Sequence, residues 1–464
     1  MVTLTHTEGE ANTSKLRKQW QRECHRPQSE GLLARDEKAF LHQSLSTPCL
    51  STIAKAEGSW IEDHDGNRYL DFHGNTVHHI GYSHPRLLAA LKQQLDKLTF
   101  APRRYTSEPA VELAEKLGAL APDNLSKVLF TTGGSDANEV AIRLARAATG
   151  RFKTLSFWDA FHGAGFGSSS VGGEATFRSH VAGPLLPGSE HVAPFACYRC
   201  PYGHAGPHIC ELACANMVEY VLEKEGDIAA VIAEPMRAVP YVPPPGFWKA
   251  VRKACNRHGA LLIMDEIPTG LGKTGKFFAF EHDEIVPDIV TLGKALGGGI
   301  LPIAACLART ELDVCGDFAI GHYTHEKNPV SARAALTTLQ IIEDENLVER
   351  AAKLGQRSMQ RLQTSLQHAA IVGDIRGRGL MMGVEIVTDK NDKTRGDELA
   401  EQIFYRCLSK GLSFKLSQGC VLTLSPPLTI SEQDLDQALS IVESTIKEVE
   451  QIACASKGHR LPGD

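Results

Sequence analysis

The chain has 464 residues, 42% hydrophobic and 22% charged, with 49 Lys and Arg against 55 Asp and Glu for a net charge of −6. That length can bury more than one core, and the composition excludes collagen-like, coiled-coil and disordered chains. The acidic balance argues against a nucleic-acid partner, and apolar runs such as Ala260–Met264 are far too short to span a bilayer. The N-terminus carries no apolar signal-peptide stretch, so a cytoplasmic location is expected, with the 12 cysteines as reduced thiols.

Residues 1–50 are polar, with one helical pattern near Leu32–Gln43, and read as an N-terminal arm. Trp60–Leu70 alternates around Gly66-Asn67, a hairpin signal. Residues 51–108 are assigned to the start of a small domain. From Pro109 the pattern alternates. Ala110–Leu120 and Asp136–Ala148 have helical spacing, and Lys127–Thr131 reads as a strand. Ala229–Ala233, Leu261–Met264, Asp288–Leu292 and Ile303–Leu307 are short apolar runs of the buried parallel-strand kind. An α/β fold follows, with a mostly parallel sheet flanked by helices over 109–329. Helices over Ser331–Leu347 and Val348–His368, then strands near Gly383–Ile386 and Gly419–Leu424, give a smaller α+β domain over 330–464.

Gly270-Leu271-Gly272-Lys273-Thr274-Gly275 matches G-x-G-x-x-G, but no helix start follows it, and a P-loop would need Gly where Ile267 stands. A glycine-rich turn is the reading. In Thr131–Glu139 a strand ends, two glycines turn the backbone and a helix begins, which suits phosphate. Ser135 also reads as a simple N-cap. Lys294 follows a buried strand between glycines. Partial burial there would make its amine available to a carbonyl, although a structural lysine fits equally. Asp265 ends an apolar strand, where parallel sheets bind ligands, and a buried Asp needs a cationic partner. A helix cap or a salt bridge would also account for it. Phosphate cup, Phe161-His162, strand-end Asp and strand-end Lys are together the parts of a pyridoxal phosphate site.

With these anchors, and with Ala233-Glu234-Pro235 and Asn328-Pro329, the sequence resembles the class III aminotransferases, of fold type I pyridoxal-phosphate architecture, over about residues 50 to 445. The resemblance implies that Lys294 carries the cofactor and shuttles the proton, while Asp265 keeps the ring nitrogen charged. By the same resemblance Phe161 stacks on the ring with His162 beside it, Gly134 and Ser135 hold the phosphate, and Glu234 lies near the substrate. Thr324 would reach the partner subunit's cofactor phosphate, which implies a homodimer with shared sites.

The sequence departs from the family pattern in three places. Pro268 stands where a Gln is usual, Glu326-Lys327 replaces a Gly-Gly before Asn328, and Thr423 replaces an Arg that grips an α-carboxylate. A neutral Thr cannot replace a bidentate Arg, so an amine without an α-carboxylate is expected. Arg103 and Arg104 would suit a phosphonate or phosphate, although two solvated arginines fit as well. The runs Met236–Gly246 and Ile371–Gly377 resemble the lyase branches of the family that act on phosphate- or phosphonate-bearing amines. The expected activity is elimination of ammonia from a hydroxylated aminoethylphosphonate to give phosphonoacetaldehyde. The alternative is an ω-aminotransferase passing such an amine to a 2-oxoacid. Cys197, Cys200, Cys210 and Cys214, with His204 and His208, have zinc-like spacing. Free thiols in a long loop are the expectation, with no metal at the reaction centre.

Overall fold

The computed structural model describes residues 13–44, 46–179, 182–206 and 209–458. These form two compact units. The larger holds residues 76–80 and 85–350, and the smaller holds the rest. The larger unit is therefore wider than the 109–329 read from sequence. Helices Pro85–Lys97 and Glu108–Leu120 both pack on helix Pro329–Asp344. That helix buries Ala332, Ala334, Ala335 and Leu339, and its small side chains let both neighbours approach.

The larger unit is built on seven strands: β1 Leu125–Thr131, β2 Lys153–Phe157, β3 Ser189–Val192, β4 Ile228–Ala233, β5 Leu261–Asp265, β6 Ile289–Leu292 and β7 Ala304–Arg309. Their order across the sheet is β1-β7-β6-β5-β4-β2-β3. β7 runs antiparallel to both β1 and β6, and the other adjacent pairs are parallel. Every residue of β4 is buried, as expected for a strand covered on both faces. Val140, Ala141, Leu144 and Ala145 of helix Gly134–Thr149 pack on Ala230, Ile232, Ile263 and Ile289. Each fully buried Val, Leu or Ile contributes about 1.5–3 kcal/mol. The six co-directional strands end along one edge of the sheet, which is where the site is built.

In the smaller unit a parallel pairing joins Leu412–Ser413 to the hairpin strand Arg68–Asp71. A second sheet is ordered Val372–Arg378, Met381–Asp389, Val421–Leu424, Lys415–Ser417. The N-terminal arm contains two helices, Lys15–Cys24 and Pro27–Ala39, rather than one near 32–43. Ser14 caps the first by accepting from the Arg17 amide, and Pro27 opens the second. Trp20, buried, packs 6.2 Å from Tyr405 and fixes the first helix to helix Asp397–Ser409. Among the described residues, no helix is long and apolar enough to cross a membrane.

Candidate active site

Five strand ends supply the site. β1 leads into Gly133-Gly134-Ser135, β2 into Phe161-His162-Gly163, and β4 into Glu234. β5 ends on Asp265, and β6 runs into Gly293-Lys294. Register fixes their relative heights. Ala233 pairs with Met264, so Glu234 is level with Asp265. Asp265 in turn pairs with Thr291, three residues before Lys294.

Asp265 is buried and its carboxylate is fully engaged. Oδ2 accepts from His162 Nδ1 at 2.8 Å and from Asn138 Nδ2 at 2.9 Å. Oδ1 accepts from the Ile267 amide at 3.1 Å and, more distantly, from Thr291 Oγ1 at 3.5 Å. Asn138 also donates to the His162 carbonyl at 2.8 Å and accepts from Thr291 Oγ1 at 2.8 Å. One buried amide thus ties three strand ends together around a carboxylate. None of these partners is a lysine or an arginine. A buried carboxylate so held suits a protonated ring nitrogen, which would supply the cation that burial of an Asp requires.

Asn138 and Thr291 were assigned no role from sequence. A Thr inside the apolar run Ile289–Leu292 was one signal. Another was an Asn one turn into the helix that follows the phosphate cup.

Helix Gly134–Thr149 has Gly133 as its N-cap, with no side-chain cap, so Ser135 lies inside the first turn and is not the N-cap. Ser135 Oγ instead accepts from the Ala164 amide at 3.2 Å. Gly163 has φ +130°, and a Cβ there would run into Ser135 Oγ. Only glycine lets that loop close on the cup. A Cβ on Gly134 would come 2.7 Å from Ile267 Cδ1. Helix-end N–H groups without a side-chain cap form a site suited to a phosphate.

Lys294 is exposed, so the partial burial expected for it is not found. Its backbone has φ +45°, a left-handed conformation uncommon outside glycine. Such a conformation costs on the order of 1–3 kcal/mol and is typical of functional positions. Phe161 is 38% exposed with its ring 4.5 Å from that of Phe177, which leaves it accessible to a planar partner. His79 is buried. Desolvation, with Lys273 next in effect and Lys294 contributing, holds its imidazole well below its ordinary pKa.

Beside Glu234 lies Arg237, within the run Met236–Gly246. Glu234 is buried, and its Oε2 accepts from the Ala238 amide at 2.9 Å. Its Oε1 is 3.7 Å from Arg237 Nε, and Arg237 Nη2 donates to Glu174 Oε1 at 3.2 Å.

Other residues named from sequence lie elsewhere or have other partners. Arg103 and Arg104 are exposed, and Arg103 Nε is 3.7 Å from Glu326. Thr324 is exposed in a turn. Thr423 is buried, with its hydroxyl donating to Ser417 Oγ at 2.8 Å. The G-x-G-x-x-G segment is a run of turns, with Gly272 and Gly275 at positive φ. Cys197, Cys200, Cys210 and Cys214 line one cavity of about 10 Å³ with Tyr202 and His204. Burial pushes the Cys214 thiol up to about 12. Among the described residues, no three His, Cys, Asp or Glu side chains are grouped to hold a metal, and His208 lies outside those residues.

The family model "Aminotransferase class-III" matches residues 42–446. An (R)-1-hydroxy-2-aminoethylphosphonate ammonia-lyase from Vibrio splendidus is 43% identical, covering 97% of each chain. A leucine/methionine racemase from Thermococcus litoralis is 37% identical over 91% of this chain and 96% of its own. Among solved structures, an (S)-enantioselective omega-transaminase from Thermomicrobium roseum superposes with TM-score 0.85 at 30% identity, over 90% of this chain and 98% of its own.

Proposed function

From the premise that the chain belongs to the class III aminotransferase family, whose pyridoxal 5'-phosphate cofactor it uses, we propose that it is an ammonia-lyase acting on (R)-1-hydroxy-2-aminoethylphosphonate. The observation that carries this reading is the 43% identity to the Vibrio splendidus lyase over 97% of both chains. The family also includes aminotransferases and racemases, so residues must support the choice. Thr423 does so, because its hydroxyl is taken by Ser417 and no guanidinium stands there for an α-carboxylate.

When bound, the cofactor offers an electron sink next to the amine-bearing carbon. Lys294 takes the proton from that carbon. Asp265 keeps the ring nitrogen charged, and Asn138 and His162 fix the angle at which it does so. Gly134, Ser135 and the helix N-terminus hold the phosphate, and Phe161 lies against the ring. Hydroxide then leaves the adjacent phosphonate-bearing carbon and takes a proton to become water. The freed enamine takes a proton at the phosphonate-bearing carbon to become an imine, and water hydrolyses the imine to phosphonoacetaldehyde and ammonia. Atoms balance with no amino acceptor. Thr324, on an exposed turn, is proposed to complete the phosphate site of a second subunit in a homodimer, and Arg103 and Arg104 to line the approach for the anion.

The test compares this substrate with 2-aminoethylphosphonate, which lacks the leaving hydroxyl. A lyase turns over the first and leaves the second untouched even when pyruvate is present. An ω-aminotransferase, the reading favoured by the Thermomicrobium roseum structure, would consume both once pyruvate is added.

A further inference from the structure

Arg237 is 2% exposed, yet among the described residues its Nε and Nη1 have no hydrogen-bond partner. The guanidinium carries five N–H donors. One nitrogen, Nη2, reaches Glu174, and Glu234 lies beyond hydrogen-bond length from Nε. Three N–H groups of a buried cation are therefore left without acceptors. An unsatisfied buried donor costs about 1–3 kcal/mol, and more when charged. Proteins retain such a group where a ligand completes it.

Its position points the same way. Arg237 lies three residues past Glu234, at the strand edge that carries Asp265 and Lys294. Its partner Glu174 has its amide bonded to the Ala160 carbonyl at 3.2 Å, one residue before Phe161. The Arg237 amide donates to the Tyr241 carbonyl at 3.1 Å, so the backbone holds the side chain in place.

We infer that Arg237 is the anion receptor of the site, gripping the phosphonate of the substrate, with Glu174 as the placeholder it releases when the anion arrives. This inference rests on the lyase reading above. Glu174 can leave because its side chain is 32% exposed, whereas that of Arg237 is 3% exposed. A phosphonate dianion offers three acceptor oxygens to the N–H groups left over, and charge-assisted bonds of this type are the strong ones.

The experiment titrates cofactor-loaded protein with 2-aminoethylphosphonate and, separately, with ethylamine, reading the change in cofactor absorbance. Wild type binds the phosphonate amine more tightly. Arg237→Gln loses about 10- to 100-fold of that affinity, the worth of a buried charged hydrogen bond, and binds ethylamine within about twofold of wild type. Glu174→Gln shifts affinity the other way, tightening phosphonate binding by about 2- to 10-fold, because a neutral amide competes less for the guanidinium. Opposite signs from two neighbouring substitutions are not produced by a purely structural pair. Should Arg237→Gln not fold, Glu174→Gln alone decides, and unchanged or weaker binding overturns the inference. Unchanged phosphonate affinity in a folded Arg237→Gln also overturns it. A wild type with no preference for the phosphonate amine would remove the lyase reading itself.

Discussion

Replacing Asn138 with Leu removes the amide at the centre of the Asp265 cluster while keeping nearly the same volume. Three buried groups then lose a partner: Asp265 Oδ2, the His162 carbonyl and the Thr291 hydroxyl. A hydrogen bond to a charged group is worth about 1.5–3 kcal/mol and a neutral one about 1 kcal/mol, so the loss is about 3 to 5 kcal/mol. Thr291 Oγ1 already lies 3.5 Å from Asp265 Oδ1 and can recover part of this, which favours the lower end. At about 2.1 cal/mol/K of unfolding entropy per residue, a chain of 464 residues shifts its melting temperature by about 1 °C per kcal/mol. Calorimetry of the cofactor-free protein is therefore expected to show a drop of roughly 3 to 5 °C. Cofactor affinity falls as well, because Asp265 keeps only His162 to orient Oδ2 and no longer meets the ring nitrogen at a fixed angle. A variant that melts within about 1 °C of wild type and binds cofactor with unchanged affinity would refute the role given to Asn138.

Three further outcomes follow from the same geometry. Burial pushes Glu266 up to about 8 from the ordinary 4.5, against hydrogen bonds from Thr269 and the Phe280 amide. The folded state thus holds a proton that the unfolded chain releases, and stability falls between those two pH values by up to about 1.4 kcal/mol per unit. Glu266→Gln abolishes this loss. In urea titrations at pH 5, 6.5 and 8 its advantage over wild type must grow with pH, and a constant difference would contradict the assignment. Asp288 accepts from Arg252 at 2.6 Å, Arg309 at 2.9 Å and the Leu262 amide at 2.7 Å. Asp288→Ala leaves two arginines without their buried carboxylate and is expected to destabilise by about 3–5 kcal/mol, read by chemical denaturation. Lys294→Ala is expected to abolish turnover in a steady-state assay while leaving the melting temperature of the cofactor-free protein unchanged or raised, since an exposed side chain is removed.

Residues at strand ends were legible in the sequence because an apolar run that stops on Asp265, or on Gly293-Lys294, marks its own position. Five of the seven strands and the helix after Gly133-Gly134 were legible for the same reason, whereas Lys153–Phe157 and Ser189–Val192, with polar residues interleaved, were not read as strands. Strand direction was not: Ile303–Leu307 reads as another buried strand, and nothing in an apolar run states that it will run antiparallel. The first arm helix escaped because Trp20 is its one buried apolar residue and gives no period, whereas the pattern near Leu32–Gln43 overlaps the second. Glycine neighbours and a preceding buried strand suggested a half-buried Lys294. The residue is exposed instead, with a left-handed backbone. Arg237 stayed hidden just ahead of the proline-rich run Val239–Pro245, because its significance is the partners it lacks.

The most direct test of the account is ammonia release from (R)-1-hydroxy-2-aminoethylphosphonate by cofactor-loaded protein with no 2-oxoacid present. Sustained release over many turnovers, with phosphonoacetaldehyde formed in equal amount, is the predicted result. Ammonia absent under those conditions, with turnover appearing only when pyruvate or 2-oxoglutarate is added, would contradict it and make the protein a transaminase.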